Sequence, residues 1–110
     1  MGSRRGLFGV GGGVANGFPW DEVLFQSDYW LDAHRIKHPI ASMTTRHIRN
    51  AIPYAEAGRV QLVEAAFRYA DWEDDTQAAY EAQADARRLM ANDPPLLVAL
   101  REELARREES

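Results

Sequence analysis

The chain has no cysteine in its 110 residues. Disulfides and thiolate zinc sites are therefore excluded, and a reducing compartment suits the chain best. No apolar run approaches the roughly 20 residues that span a bilayer, so the chain is expected in the cytoplasm, with no membrane partner. Glycine is scarce outside one segment, since residues 1–17 hold seven of the eight. Several signatures of chemistry are also missing. There is no G-x-S-x-G, no H-E-x-x-H and no G-x-G-x-x-G, and no Lys-Ser/Thr pair follows the glycines. No His-to-carboxylate spacing stands out. Asp71, Glu73, Asp74 and Asp75 lack the glycine and spacing of an EF-hand loop and read as a solvated turn. No catalytic residue, metal or cofactor is expected, and the enzyme reading (a small hydrolase or nuclease) ranks last.

Another absence is local. No carboxylate occurs from Ala33 to Ala55, although the whole chain carries a formal charge of −4. That stretch holds all three histidines together with Arg35, Lys37, Arg46 and Arg49. Residues 1–57 sum to +1 and residues 58–110 to −5. Such a dipolar chain is a poor nonspecific ligand for duplex nucleic acid, but it can present one local basic patch. Its two ends could attract each other between subunits, and a homo-oligomer is expected for a core of this modest size.

The pattern of apolar residues predicts a mostly α protein with a small N-terminal β-hairpin followed by three or four helices. Residues 1–17 read as a flexible glycine-rich arm and 18–110 as one small domain. Pro19, Asp21 and Glu22 suit a short helix start, with Phe18, Trp20 and Phe25 packed as a lid. Tyr29 and Leu31, then Ile36 and Ile40, fit two strands around "DAHR", with Pro39 on an edge. Ser42 or Thr44 can cap the next helix, whose inner side carries Ile48, Ala51, Ile52 and Ala55. Pro53 predicts a kink or stop, and Gly58 a break. Val63, Ala66, Phe67 and Ala70 predict a further amphipathic stretch. Its phase fails near 72–75, and Ala79, Ala82, Ala86, Leu89 and Met90 form a new stripe. Asn92 or Asp93 with Pro94 and Pro95 open a last helix striped by Leu96, Leu97, Leu100 and Leu104. Glu102 with Arg106 and Glu103 with Arg107 are its i, i+4 pairs.

His34 and His38 would share a face on a helix, but in a strand they stand about 13 Å apart, too far to chelate one ion. The anion-site reading is stronger. Arg35, Lys37, Arg46 and Arg49 surround a helix N-terminus, which offers free N–H groups and a positive dipole end. Arginine grips phosphate with paired donors. Asn50 and Tyr54 could read a base or ribose, and Trp20 or Trp30 could stack on it. His47, Asn50 and Tyr54 recur at i, i+3, i+7 along one border of the helix. The competing reading has His47 and Asn50 tying the helix to the hairpin.

Trp30, Met43, His47, Asn50, Ala51 and Ile52, with the C-terminal "PLLVALREELARRE", make a pattern W…M-T-x-x-H-I-x-N-A-I…L-x-x-E-L-x-x-R. It resembles short accessory proteins of tailed phages and prophages over roughly residues 28–57 and 94–108. The resemblance implies phage origin, host-cell cytoplasm and a small accessory role. Some small phage proteins of this size act as sponges that hold nucleotide signals of bacterial immunity without turnover. The expected function is therefore non-enzymatic, an anti-defence capture of an anionic, nucleotide-like ligand. The expected ligand-binding set is Trp30, Arg35, Lys37, Arg46, His47, Arg49, Asn50 and Tyr54. The alternative is a protein-binding module or inhibitor that engages a host protein through its acidic helices.

Overall fold

The structure is a computed structural model and describes residues 18–109. The expected arm at 1–17 lies outside the described residues. Helix α1 (Trp20–Val23) precedes strands β1 (Tyr29–Leu31) and β2 (Lys37–Pro39) and a 3-10 turn at Ile40–Ser42. Three helices follow: α2 (Thr45–Trp72), α3 (Thr76–Ala91) and α4 (Pro95–Glu109). The fold is thus mostly helical, with a two-stranded antiparallel hairpin ahead of three helices, as the sequence predicts. The hairpin register pairs Tyr29 with Pro39, Trp30 with His38 and Leu31 with Lys37.

Thr44 caps α2, its hydroxyl oxygen accepting from the His47 N–H at 3.0 Å, which satisfies one of the unpaired donors of the first turn. Contrary to the expected kink or stop, α2 runs unbroken for 28 residues through Pro53. Pro53 is exposed, so the carbonyl its missing N–H leaves unpaired, one turn back, can be satisfied by water. Gly58 is no break either. It is buried in mid-helix, and a Cβ there would lie 2.2 Å from the Trp20 ring. The absent side chain is the slot into which the indole fits, at a propensity cost of about 1 kcal/mol relative to alanine.

The break near 72–75 is present, and the acidic cluster forms it. Glu73 ends α2, and Asp75 caps α3 by accepting from the N–H groups of Gln77 at 3.0 Å and Ala78 at 3.3 Å. The inner stripe of α2 keeps two of the four expected residues, Ala66 and Ala70, and replaces the other two. Leu62, Ala65, Ala66 and Ala70 are buried, while Val63 and Phe67 are half-buried. On α3, Ala82, Ala86 and Leu89 face inward, but Met90 is exposed. Phe25, expected in the lid, is exposed as well, whereas Trp20 is buried.

One core joins α1, the hairpin and the base of the helices. It contains Trp20, Val23, Leu24, Trp30, Leu31, Ile48, Leu62, Leu96, Leu97 and Leu100. Each such leucine taken from water contributes about 1.5–3 kcal/mol. A second, much smaller cluster joins Ala70 to Ala82, flanked by Tyr69 and Ala79. Asp93, expected as a cap, instead binds Arg59 at 3.0 Å and also pairs with Arg101. Glu56 completes that network on both arginines. Arg59 further donates from Nε to the Leu89 carbonyl at 2.9 Å, closing the end of α3 against α2. In α4, Arg107 makes its expected i, i+4 pair with Glu103 at 2.7 Å, and Arg106 also reaches Glu103.

Candidate functional site

The loop between β1 and β2 is built on Asp32. Its Oδ1 accepts from the backbone N–H groups of His34 at 2.8 Å and Ile36 at 2.9 Å. Its carbonyl accepts from the Arg35 N–H at 2.9 Å. Asparagine and aspartate favour such loops because the side chain imitates a backbone turn. The loop contains no glycine, so the left-handed position falls on Arg35, with φ 65°. That conformation costs a non-glycine residue on the order of 1–2 kcal/mol. The guanidinium lies 5.0 Å from the centre of the Phe18 ring, a cation–π contact that offsets part of this cost.

The remaining carboxylate oxygen, Oδ2, accepts from His38 Nε2 at 2.7 Å. That bond first, then the Ile36 and His34 N–H groups, lowers the Asp32 pKa to about 2. His38 in turn meets His47 of α2 edge to face, the ring centroids 5.2 Å apart. An aspartate–histidine pair therefore exists where no such spacing was expected. It was hidden because a hairpin turn folds residues 32 and 38 onto the same side, which chain separation alone does not reveal.

Above this loop opens a cleft of about 860 Å³ between the hairpin, the segment before α1 and one stripe of α2. The hairpin side gives Trp30, Leu31, Asp32, Ala33, His34 and Arg35, and the chain before them gives Phe18 and Trp20. The helix gives His47, Asn50, Ala51, Tyr54 and Gln61. These five recur at helical spacing on one side of α2, and His47 to Gln61 spans about 21 Å at 1.5 Å per residue. The aromatic wall is continuous: Phe18 and Trp20 have ring centroids 4.5 Å apart, and Trp20 and Trp30 6.1 Å apart.

Five of the eight expected binding residues meet in this cleft: Trp30, Arg35, His47, Asn50 and Tyr54. Arg46, Arg49 and Lys37 are not among its lining residues. Arg46 is exposed, Arg49 pairs with Glu108 of α4 at 3.0 Å, and Lys37 sits 4.7 Å from the centre of the Tyr29 ring. The expected gathering of four cations at the α2 N-terminus does not form. Arg107 of α4 stands there instead, donating to the Met43 carbonyl at 2.6 Å, the Ala41 carbonyl at 3.2 Å and Thr45 Oγ1 at 3.3 Å. An arginine from the far end of the chain thus anchors α4 on the turn that leads into α2.

Gln61, Phe18 and Asp32 are lining residues that sequence reasoning missed. The signal for Gln61 was present: His47, Tyr54 and Gln61 are spaced by seven, the recurrence that keeps residues on one side of a helix. The expected stop at Pro53 hid it. Among the described residues, no group of three or more His, Cys, Asp or Glu side chains could hold a metal ion. No helix of the described residues is long and apolar enough to cross a membrane. No known protein family, curated protein or solved structure matches the chain.

Proposed function

We propose that the protein captures a small anionic, nucleotide-like ligand in this cleft and releases it unchanged. The observation that carries the reading is the cleft itself. Its volume of about 860 Å³ falls in the range of roughly 300–1,000 Å³ usual for small-molecule sites. Its composition is also that of such sites: aromatic walls with a few polar groups. Phe18 and Tyr54 supply ring surface, the buried Trp20 and Trp30 back it, and Asn50 and Gln61 supply hydrogen bonds. Arg35 supplies the cation and projects from the same loop, while the Asp32 carboxylate is already engaged by three donors. The anion site is accordingly the Arg35 loop and not the α2 N-terminus. The resemblance to phage accessory proteins supplies the setting, removal of a nucleotide signal from a host defence pathway.

A second reading rests on a different surface. Trp72 is 76% exposed and Tyr80 63% exposed near the acidic turn between α2 and α3, a surface suited to a protein partner.

The test is thermal shift with a panel of nucleotides, with mass spectrometry of each ligand before and after incubation. At least one nucleotide should raise the Tm and be recovered intact. Arg35→Gly suits the left-handed backbone at this position, so it should fold as well as the parent and lose the shift. Loss of ligand mass would make the protein an enzyme and overturn capture without turnover. An absence of any shift across the panel would remove the cleft as a nucleotide site.

A further inference from the structure

The cleft holds an unused hydrogen-bond acceptor. Gln61 lines it, and its side-chain oxygen is enclosed with no donor, the one such buried polar side-chain atom among the described residues. Buried polar atoms are nearly always paired, and each exception calls for a reason. The last torsion of a glutamine side chain is broad and soft. A partial turn would bring the oxygen to an incoming N–H with little resistance, whereas a full flip would only put the amide NH2 in the same enclosed place. A ligand that brings an N–H to this position would repair a defect of the empty protein, and that repair adds to its affinity.

The surroundings narrow the ligand further. Gly58, one turn before Gln61, lies directly under the Trp20 ring. Tyr54 stands on the same side of α2, two turns before Gln61, and is 66% exposed. A flat ligand held against the exposed Tyr54 ring would present its edge to the amide. A carboxamide offers an acceptor and a donor side by side, which complements the paired donor and acceptor on the edge of a nucleobase. A fused two-ring base gains more stacking surface on such a wall than a single ring does. Arg35, stacked on Phe18, lies across the same aromatic wall, where the phosphate of the same molecule would sit.

We infer that the ligand is a purine nucleotide whose base donates an N–H to Gln61 while its phosphate meets Arg35. This rests on the capture reading above and specifies the chemistry of that site.

The experiment is titration calorimetry of the full chain with AMP, GMP, UMP and purine riboside 5′-monophosphate, which has no N–H on its base. AMP, GMP or both should bind, UMP more weakly, and the donorless analogue about tenfold more weakly than the better natural purine. In Gln61→Met, that tenfold gap should close. Equal affinity for the donorless analogue, or a gap that persists in a folded Gln61→Met protein, would overturn the assignment of Gln61, and equal affinity for UMP, whose base has its own N–H, would overturn the purine; each leaves nucleotide capture standing. If no nucleotide binds at all, both readings fall together. Should Gln61→Met not fold, the comparison of ligands on the unaltered protein still decides.

Discussion

The two ends of α2 are held in place by different means. At its base, from Ile48 to Leu62, the helix meets indoles and leucines from α1, the hairpin and α4. At its far end, Ala70 meets Ala82 of α3, with only Tyr69 and Ala79 beside them. Leucine and tryptophan fill space and bury wide apolar area. Alanine permits close helix approach but buries little. The cleft lies at the heavy end, where its lining includes four buried core residues, Trp20, Trp30, Leu31 and Ala51, and Gly58 packs against the Trp20 ring. A site that must hold a ligand in a fixed pose belongs on such a base. The acidic, aromatic-tipped far end has no comparable support, which suits a surface that adapts to a partner.

The sharpest way to break this contrast is to weaken each end by one side chain. Leu97 of α4 is fully buried in the main core, and Leu97→Ala should cost about 2–5 kcal/mol in urea unfolding. Ala82 is equally inaccessible, yet Ala82→Gly should cost only about 1 kcal/mol, nearly all of it helix propensity. Hydrogen exchange should follow the same order, with the first turns of α3 opening well before the base of α2. If the two substitutions cost the same, the alanine contact carries more of the fold than its size implies, and the contrast fails.

The same division decides what was legible in the sequence. Apolar periodicity placed the helices because Leu96, Leu97 and Leu100 repeat at helical spacing with two prolines ahead of them. The end of α2 at Trp72 was legible because an unbroken phase would have carried Asp74 into the core. Pro53 and Gly58 misled, since local propensity argues against both, while exposure to water at Pro53 and packing against Trp20 at Gly58 let the helix continue. Gly58 is explained only by Trp20, which lies 38 residues earlier in the chain. The cleft was half legible. His47, Asn50 and Tyr54 follow from one helical stripe, and Trp30 and Arg35 from the hairpin. The arginines failed as a group because sequence records how many cations a segment holds but not their partners. Glu108, which takes Arg49, and Arg107, which takes the α2 terminus, both come from the opposite end of the chain.

The smallest effect should come from Asp32, which organises the loop that presents Arg35. Its pKa of about 2 in the folded chain lies below the roughly 3.9 of an unfolded aspartate. The unfolded chain therefore takes up a proton at this group first as pH falls. The loop's contribution to stability is fully present above about pH 4 and is lost as pH drops toward 2. The amide protons of His34 and Ile36, both bonded to Oδ1, should follow that ionisation in an NMR titration, with a midpoint well below the roughly 3.9 of a free aspartate. In Asp32→Asn the side-chain oxygen can still accept from both amides, so the loop should keep its shape while this acid limb disappears. A midpoint near 4 for those two amides would mean that the His38 contact does not hold the carboxylate in solution. Arg35 would then be presented by the backbone turn alone, and the heavy end would be no better ordered at its rim than the acidic turn at the far end.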